Sequence, residues 1–190
     1  MRVTVTPEQI ARAFEAVKDD PSFEESRSLW EAGRPPLAMI QAMTLRPEIL
    51  RGFAGFGECV YPGGLLERRV KELVIITASQ TNDCQFCTSS HCDLVSLGGI
   101  IDAPLELVAD PTPLALRERL AVAFTRAAMH DGNQIPEALW TDVHAAFSDP
   151  EVVELAFLVG FINMLNLFNN ALGVRYAGEY AALDLTAGGR

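Results

Sequence analysis

The chain has 190 residues, 49% of them hydrophobic and 21% charged, which is enough apolar side chain for one well-filled domain. Its formal net charge of −10 repels phosphate backbones and anionic lipid, and no block of Lys or Arg reverses that sign locally. No nucleic-acid or membrane partner is therefore expected. The start, Met1-Arg2-Val3-Thr4-Val5-Thr6-Pro7, lacks the basic, apolar and small-residue order of a secretion signal. With four cysteines (59, 84, 87 and 92), this points to a reducing, cytoplasmic setting in which thiols are reactive rather than structural.

Helical signals follow one another along the chain. Thr6 is placed to cap a helix with Pro7 at its first position and Ile10, Ala13, Phe14 and Val17 on one face. A second helical stretch spans Phe23–Glu31 and is broken by Gly33-Arg34-Pro35-Pro36. Leu37–Leu45, Pro47–Val60 and Leu65–Gln80 read as helices, with Tyr61-Pro62-Gly63-Gly64 as a breaker. Val70–Ala78 is rich in β-branched residues and also fits a buried strand, but no alternating partner strand exists to pair with it. Asn82-Asp83 is placed to cap a helix from Cys84 to Leu97, ended by Gly98-Gly99. After the linker Asp110-Pro111-Thr112-Pro113 come Leu116–His130, Pro136–Phe147 and Glu151–Leu172.

The uncharged run Leu155–Val174 is long enough to span a bilayer. It carries Asn163, Asn166, Asn169 and Asn170, however, and unpartnered amides are costly in hydrocarbon. A buried or subunit-interface helix is the expectation, and homo-oligomerisation follows from its being apolar on nearly every side. A short internal correspondence places Val70-Lys71-Glu72-Leu73 over Val152-Val153-Glu154-Leu155, and Cys84 and Cys87 over Asn166 and Asn169. This allows two degenerate helical repeats, 37–109 as the redox-active half and 114–174 as the structural half, behind an N-terminal helical extension over 1–36 in a single domain 1–190. In that scheme Asn166 and Asn169 are structural.

The chemistry concentrates between Glu72 and His91. On a helix Cys84, Cys87 and His91 lie within about 60° of arc. Two thiols three apart approach disulfide geometry, and the first turn offers free N–H groups that favour thiolate. An imidazole one turn on can take the thiol proton, which makes Cys87 the expected acidic thiol. Glu72, on an apolar helix, is expected to have a raised pKa suited to passing protons. Structural zinc would need a second ligand pair, and Cys92 stands about 140° around the helix from Cys87. A c-type haem site would need His where Thr88 stands. Cys59 and Cys92 read as small hydrophobes.

Glu72, eleven intervening residues, and Cys84-X-X-Cys87-X-X-X-His91 together resemble the carboxymuconolactone decarboxylase superfamily, within it the alkylhydroperoxidase AhpD-like branch. Looser likeness runs from about Pro47 to Gly99 and through the stretch from Ser148 to Gly173. The resemblance implies an all-α, AhpD-like multi-helix bundle that assembles as trimers or hexamers, with no metal or organic cofactor. It implies Cys87 as the peroxidatic cysteine, Cys84 as the resolving one, and His91 with Glu72 as proton relay. Phe86 stands where the best-known alkylhydroperoxidase has a further histidine. The expected function is thiol-dependent reduction of a hydroperoxide, regenerated by a lipoyl- or thioredoxin-type dithiol. The alternatives are a non-catalytic redox sensor or assembly protein, and a decarboxylase-like lyase; the lactone decarboxylases lack the cysteine pair.

Overall fold

In the computed structural model, which describes residues 1–57 and 59–185, the described residues form ten α-helices and no strand. They are α1 (Pro7–Phe14), α2 (Glu24–Glu31), α3 (Ala38–Met43), α4 (Pro47–Ala54), α5 (Arg68–Thr81), α6 (Gln85–Leu97), α7 (Pro104–Ala109), α8 (Leu116–Asp131), α9 (Glu137–Ala146) and α10 (Asp149–Leu172). The fold is all-α, as expected. Val70–Ala78 lies inside α5, where its β-branched side chains are buried on every side; burial outweighs their weak preference for strands.

Helix ends follow local chemistry. Thr6 and Gln9 form a capping box at α1, and Ser148 and Glu151 form one at α10. α4 stops at Ala54, short of the Val60 that the sequence suggests. Gly52, Gly55 and Gly57 weaken that stretch, and the Ala54 carbonyl accepts a hydrogen bond from the Ser22 hydroxyl at 2.9 Å. α5 begins at Arg68 rather than Leu65, because the Leu66 N–H donates to Glu154 Oε1 at 3.2 Å and the Leu65 N–H to the same carboxylate. The short α7 has no clear signal in the sequence, being only six residues long.

α5 is the central post, packed against α6, α8 and α10. Its Lys71 is buried and ion-paired with the buried Glu154 of α10 at 3.0 Å. Gly64, at φ +103°, closes over this pair; a Cβ there would collide with the Glu154 carboxylate, so only glycine fits. α10 meets the length and hydropathy of a membrane span, but Leu155, Leu158, Ile162 and Leu165 are core residues. The N-terminal segment shares that core through Ile10, Phe14, Phe23 and Leu29.

Candidate active site

The site lies where α5 turns into α6. Asp83 takes the left-handed conformation at φ +49°, which Asp tolerates better than most residues. It is Cys84, not Asn82 or Asp83, that caps α6: its Sγ accepts from the Cys87 backbone N–H at 3.4 Å. The sulfurs of Cys84 and Cys87 are 2.6 Å apart and unbonded, and the two residues are only 0% and 3% exposed.

One negative charge fits on this pair, and it rests on Cys84. The Cys87 thiol donates to it, and with the Cys87 N–H brings the Cys84 pKa down to about 7 against the opposing effect of burial. Cys87, holding the proton toward Cys84 and itself buried, is pushed up. The acidic thiol is therefore the reverse of the one expected from helical spacing, because the capping position receives the donors.

Glu72 and His91 come together as expected: Nδ1 stands 2.7 Å from Glu72 Oε2. A carboxylate only accepts, so Nδ1 carries the hydrogen and Nε2 of the neutral ring is left with the free lone pair. No hydrogen bond joins His91 to either sulfur among the described residues. Glu72 is fully buried, and burial alone would raise its pKa. His91, Arg68 and Tyr61 outweigh burial and hold it at about 2. That corrects the expectation of a raised value: Glu72 is a fixed anion that orients the imidazole.

Sequence reasoning misses two partners of Glu72. Arg68 Nε donates to Glu72 Oε1 at 2.6 Å, the Tyr61 hydroxyl donates to the same oxygen at 2.7 Å, and Arg68 Nη2 donates to Tyr61 at 2.7 Å. Arg68 lies one turn before Glu72, a spacing that signals an ion pair. Tyr61 sits within a segment that reads only as a chain breaker. Burial raises its pKa well above that of a free phenol, with Glu72 adding to the effect, so it stays a donor.

The asparagines of α10 close the site from the other side. Asn166 Nδ2 donates to Ser79 at 3.1 Å, and its Oδ1 accepts from Asn82 at 3.1 Å. Asn169 Nδ2 donates to Cys87 Sγ at 3.2 Å, while its buried Oδ1 has no partner among the described residues. Asn169 thus touches the thiol pair rather than serving the scaffold alone.

Beside the pair is a cavity of about 80 Å³. Phe53, Phe56, Phe86 and Phe161 give it an aromatic wall, and His91, Tyr61, Ser90 and Glu25 supply polar edges. Neither Cys84 nor Cys87 reaches the cavity wall, whereas Phe86 and Ser90 of the same helix do. Among the described residues no cluster of three or more His, Cys, Asp or Glu side chains is arranged to hold a metal ion.

Residues 47–96 match the carboxymuconolactone decarboxylase family. The fold is AhpD-like. An alkylhydroperoxidase AhpD core, an uncharacterized peroxidase-related protein from Ralstonia eutropha JMP134, superposes with TM-score 0.68 at 20% identity, covering 97% of this chain and 96% of that one. A putative antioxidant defence protein AhpD from Agrobacterium tumefaciens gives 0.64 at 23%, covering 72% and 95%. A cysteine-to-alanine variant of the debrominase Bmp8, in complex with 2,3,4-tribromopyrrole, gives 0.72 at 19%, covering 96% and 95%. No curated protein sequence matches the chain. The family segment carries Glu72, Cys84, Cys87 and His91 together, and ends inside α6.

Proposed function

We propose that this protein reduces small hydroperoxides with the Cys84–Cys87 pair. The observation that carries the reading is two buried, unbonded sulfurs at 2.6 Å on a helix N-terminus, beside an imidazole held by a carboxylate. A thiol of the pair passes its proton to the free Nε2 of His91, the resulting thiolate attacks the distal peroxide oxygen, the O–O bond breaks, and the alkoxide leaves with that proton returned from His91. The sulfenic acid so formed is attacked by the second thiol, giving the disulfide and water. A lipoyl- or thioredoxin-type dithiol then returns the two electrons by exchange, in a reducing cytoplasm.

The test is consumption of tert-butyl hydroperoxide with a dithiol reductant in excess. Continuous turnover, lost in Cys84→Ser and in Cys87→Ser, is the expected result. A single stoichiometric oxidation would make the pair a sensor instead, and inertness would overturn the peroxide reading.

A second reading is favoured by the structural likeness to the debrominase. There the thiol pair would supply two electrons to replace C–Br by C–H, releasing bromide and leaving the disulfide. Bromide release from 2,3,4-tribromopyrrole under the same conditions distinguishes it.

We also propose a homo-oligomer. Val153, Phe157, Met164 and Leu167 are all exposed along one stripe of α10, and a contiguous apolar stripe of this kind marks an interface.

A further inference from the structure

The cavity holds a carboxyl group that the reaction above does not use. Glu25 comes from α2, in a stretch of sequence with no recognisable motif, and it lines the cavity together with His91, Tyr61 and Phe86. Among the described residues the two buried acids of the fold are committed: Glu72 binds His91, Arg68 and Tyr61, and Glu154 binds Lys71 and the Leu65–Leu66 amides. Among the described residues no other side chain hydrogen-bonds or ion-pairs with Glu25. A polar group set in an aromatic wall without a side-chain partner incurs the cost of lost hydration unless a ligand supplies the missing hydrogen bond.

We propose that Glu25 is the ligand-positioning residue of this cavity, presenting its carboxyl to the hydroxyl or hydroperoxyl end of a small uncharged molecule whose apolar part lies against the phenylalanines. Three observations support this. The wall is predominantly aromatic and aliphatic, so the body of the ligand is apolar. The volume of about 80 Å³ is smaller than the roughly 150 Å³ that accepts benzene in an engineered cavity, which limits the ligand to a few carbons. Burial also pushes the Glu25 pKa up; its own backbone N–H and Arg68 oppose the rise, and the Glu24 and Glu72 charges add to it. A carboxyl shifted toward its protonated form gains the ability to donate as well as accept, whereas an anionic ligand would bring further negative charge to a site that already holds Glu72. Neutral alcohols and hydroperoxides satisfy all three conditions, and carboxylates do not.

The inference deepens the peroxide reading and rests on it for the natural ligand, but binding can be read without turnover. Dissociation constants for 1-butanol, 1-fluorobutane and butyrate are measured by chemical-shift titration of the reduced full-length protein. The expected order is 1-butanol tighter than its hydroxyl-free analogue by roughly 3–10-fold, the range one hydrogen bond gives, with butyrate weakest. Glu25→Gln keeps a neutral hydrogen-bonding head and retains the preference. Glu25→Met keeps the volume and loses the head, bringing 1-butanol to the level of 1-fluorobutane while 1-fluorobutane itself is unchanged. An unaltered preference in Glu25→Met, or butyrate binding as tightly as 1-butanol, would overturn the proposal. If peroxide turnover is absent yet this binding pattern holds, the peroxide reading fails and the role of Glu25 stands.

Discussion

Replacing Glu72 by Gln tests the electrostatic core of the site through stability alone. Glu72 is fully buried, and its folded-state pKa of about 2 lies below the ordinary 4.5. A depressed carboxyl pKa contributes stability above the unfolded value, and that contribution is lost as pH falls through the folded one. The shift corresponds to on the order of 3 kcal/mol, fully present above pH 4.5 and disappearing toward pH 2. Glu151, also held at about 2 by Arg117 and the Ser148 cap, is retained in the variant, so its share cancels in the difference. The assay is urea unfolding of both proteins at pH 6, 4.5, 3.5 and 2.5. Dilute samples are needed near pH 4.7, where net charge vanishes. The wild-type advantage should be largest at pH 6 and shrink steadily below 4.5. Stability curves that run parallel from pH 6 to 2.5 would refute the claim that His91, Arg68 and Tyr61 hold Glu72 ionised.

Limited alkylation of the reduced protein at pH 7, followed by peptide mapping, should label Cys84 before Cys87; the opposite order would move the resting thiolate to Cys87. Asn166→Ala should cost about 1–3 kcal/mol, since it strands the buried Ser79 hydroxyl and takes one acceptor from the Asn82 amide, while turnover per folded molecule survives. Asn169→Ala should in addition change the pH at which Cys87 ionises, because its amide donates to that sulfur; an unchanged alkylation profile would return Asn169 to a scaffold role. Light scattering at micromolar concentration should give a mass above 20.7 kDa, reduced to that of a monomer by charged residues at Phe157 and Leu167. A monomer in the unaltered protein would sink the interface.

Much of this site was legible because it is local. Thr6-Pro7, Ser148-Asp-Pro-Glu and the Gly/Pro breakers place helix ends through hydrogen bonds within a few residues, and the Cys84–Cys87–His91 spacing is set by one helix. What the sequence concealed depends on contacts between distant segments. Cys84 caps α6 because Asp83 turns the chain sharply, which reverses the acidity that spacing alone suggests. The pKa of Glu72 depends on Tyr61, eleven residues away, and on the balance between its donors and burial. Glu25 becomes part of the cavity only through packing of the N-terminal segment, and nothing in its own neighbours announces that.

The thiolate cap on α6 ties redox chemistry to folding free energy. While Cys84 is ionised it satisfies an amide at the start of a thirteen-residue helix, and a disulfide sulfur, without the charge, is a poorer acceptor. Reduction therefore strengthens the helix and oxidation weakens it, so the native fold favours the dithiol. Each 1.4 kcal/mol of that preference raises the reduction potential by about 30 mV, making the disulfide a more avid electron acceptor than an unstructured Cys-X-X-Cys peptide. The energy that holds the end of α6 in place would thus also set how readily a disulfide formed between Cys84 and Cys87 accepts electrons.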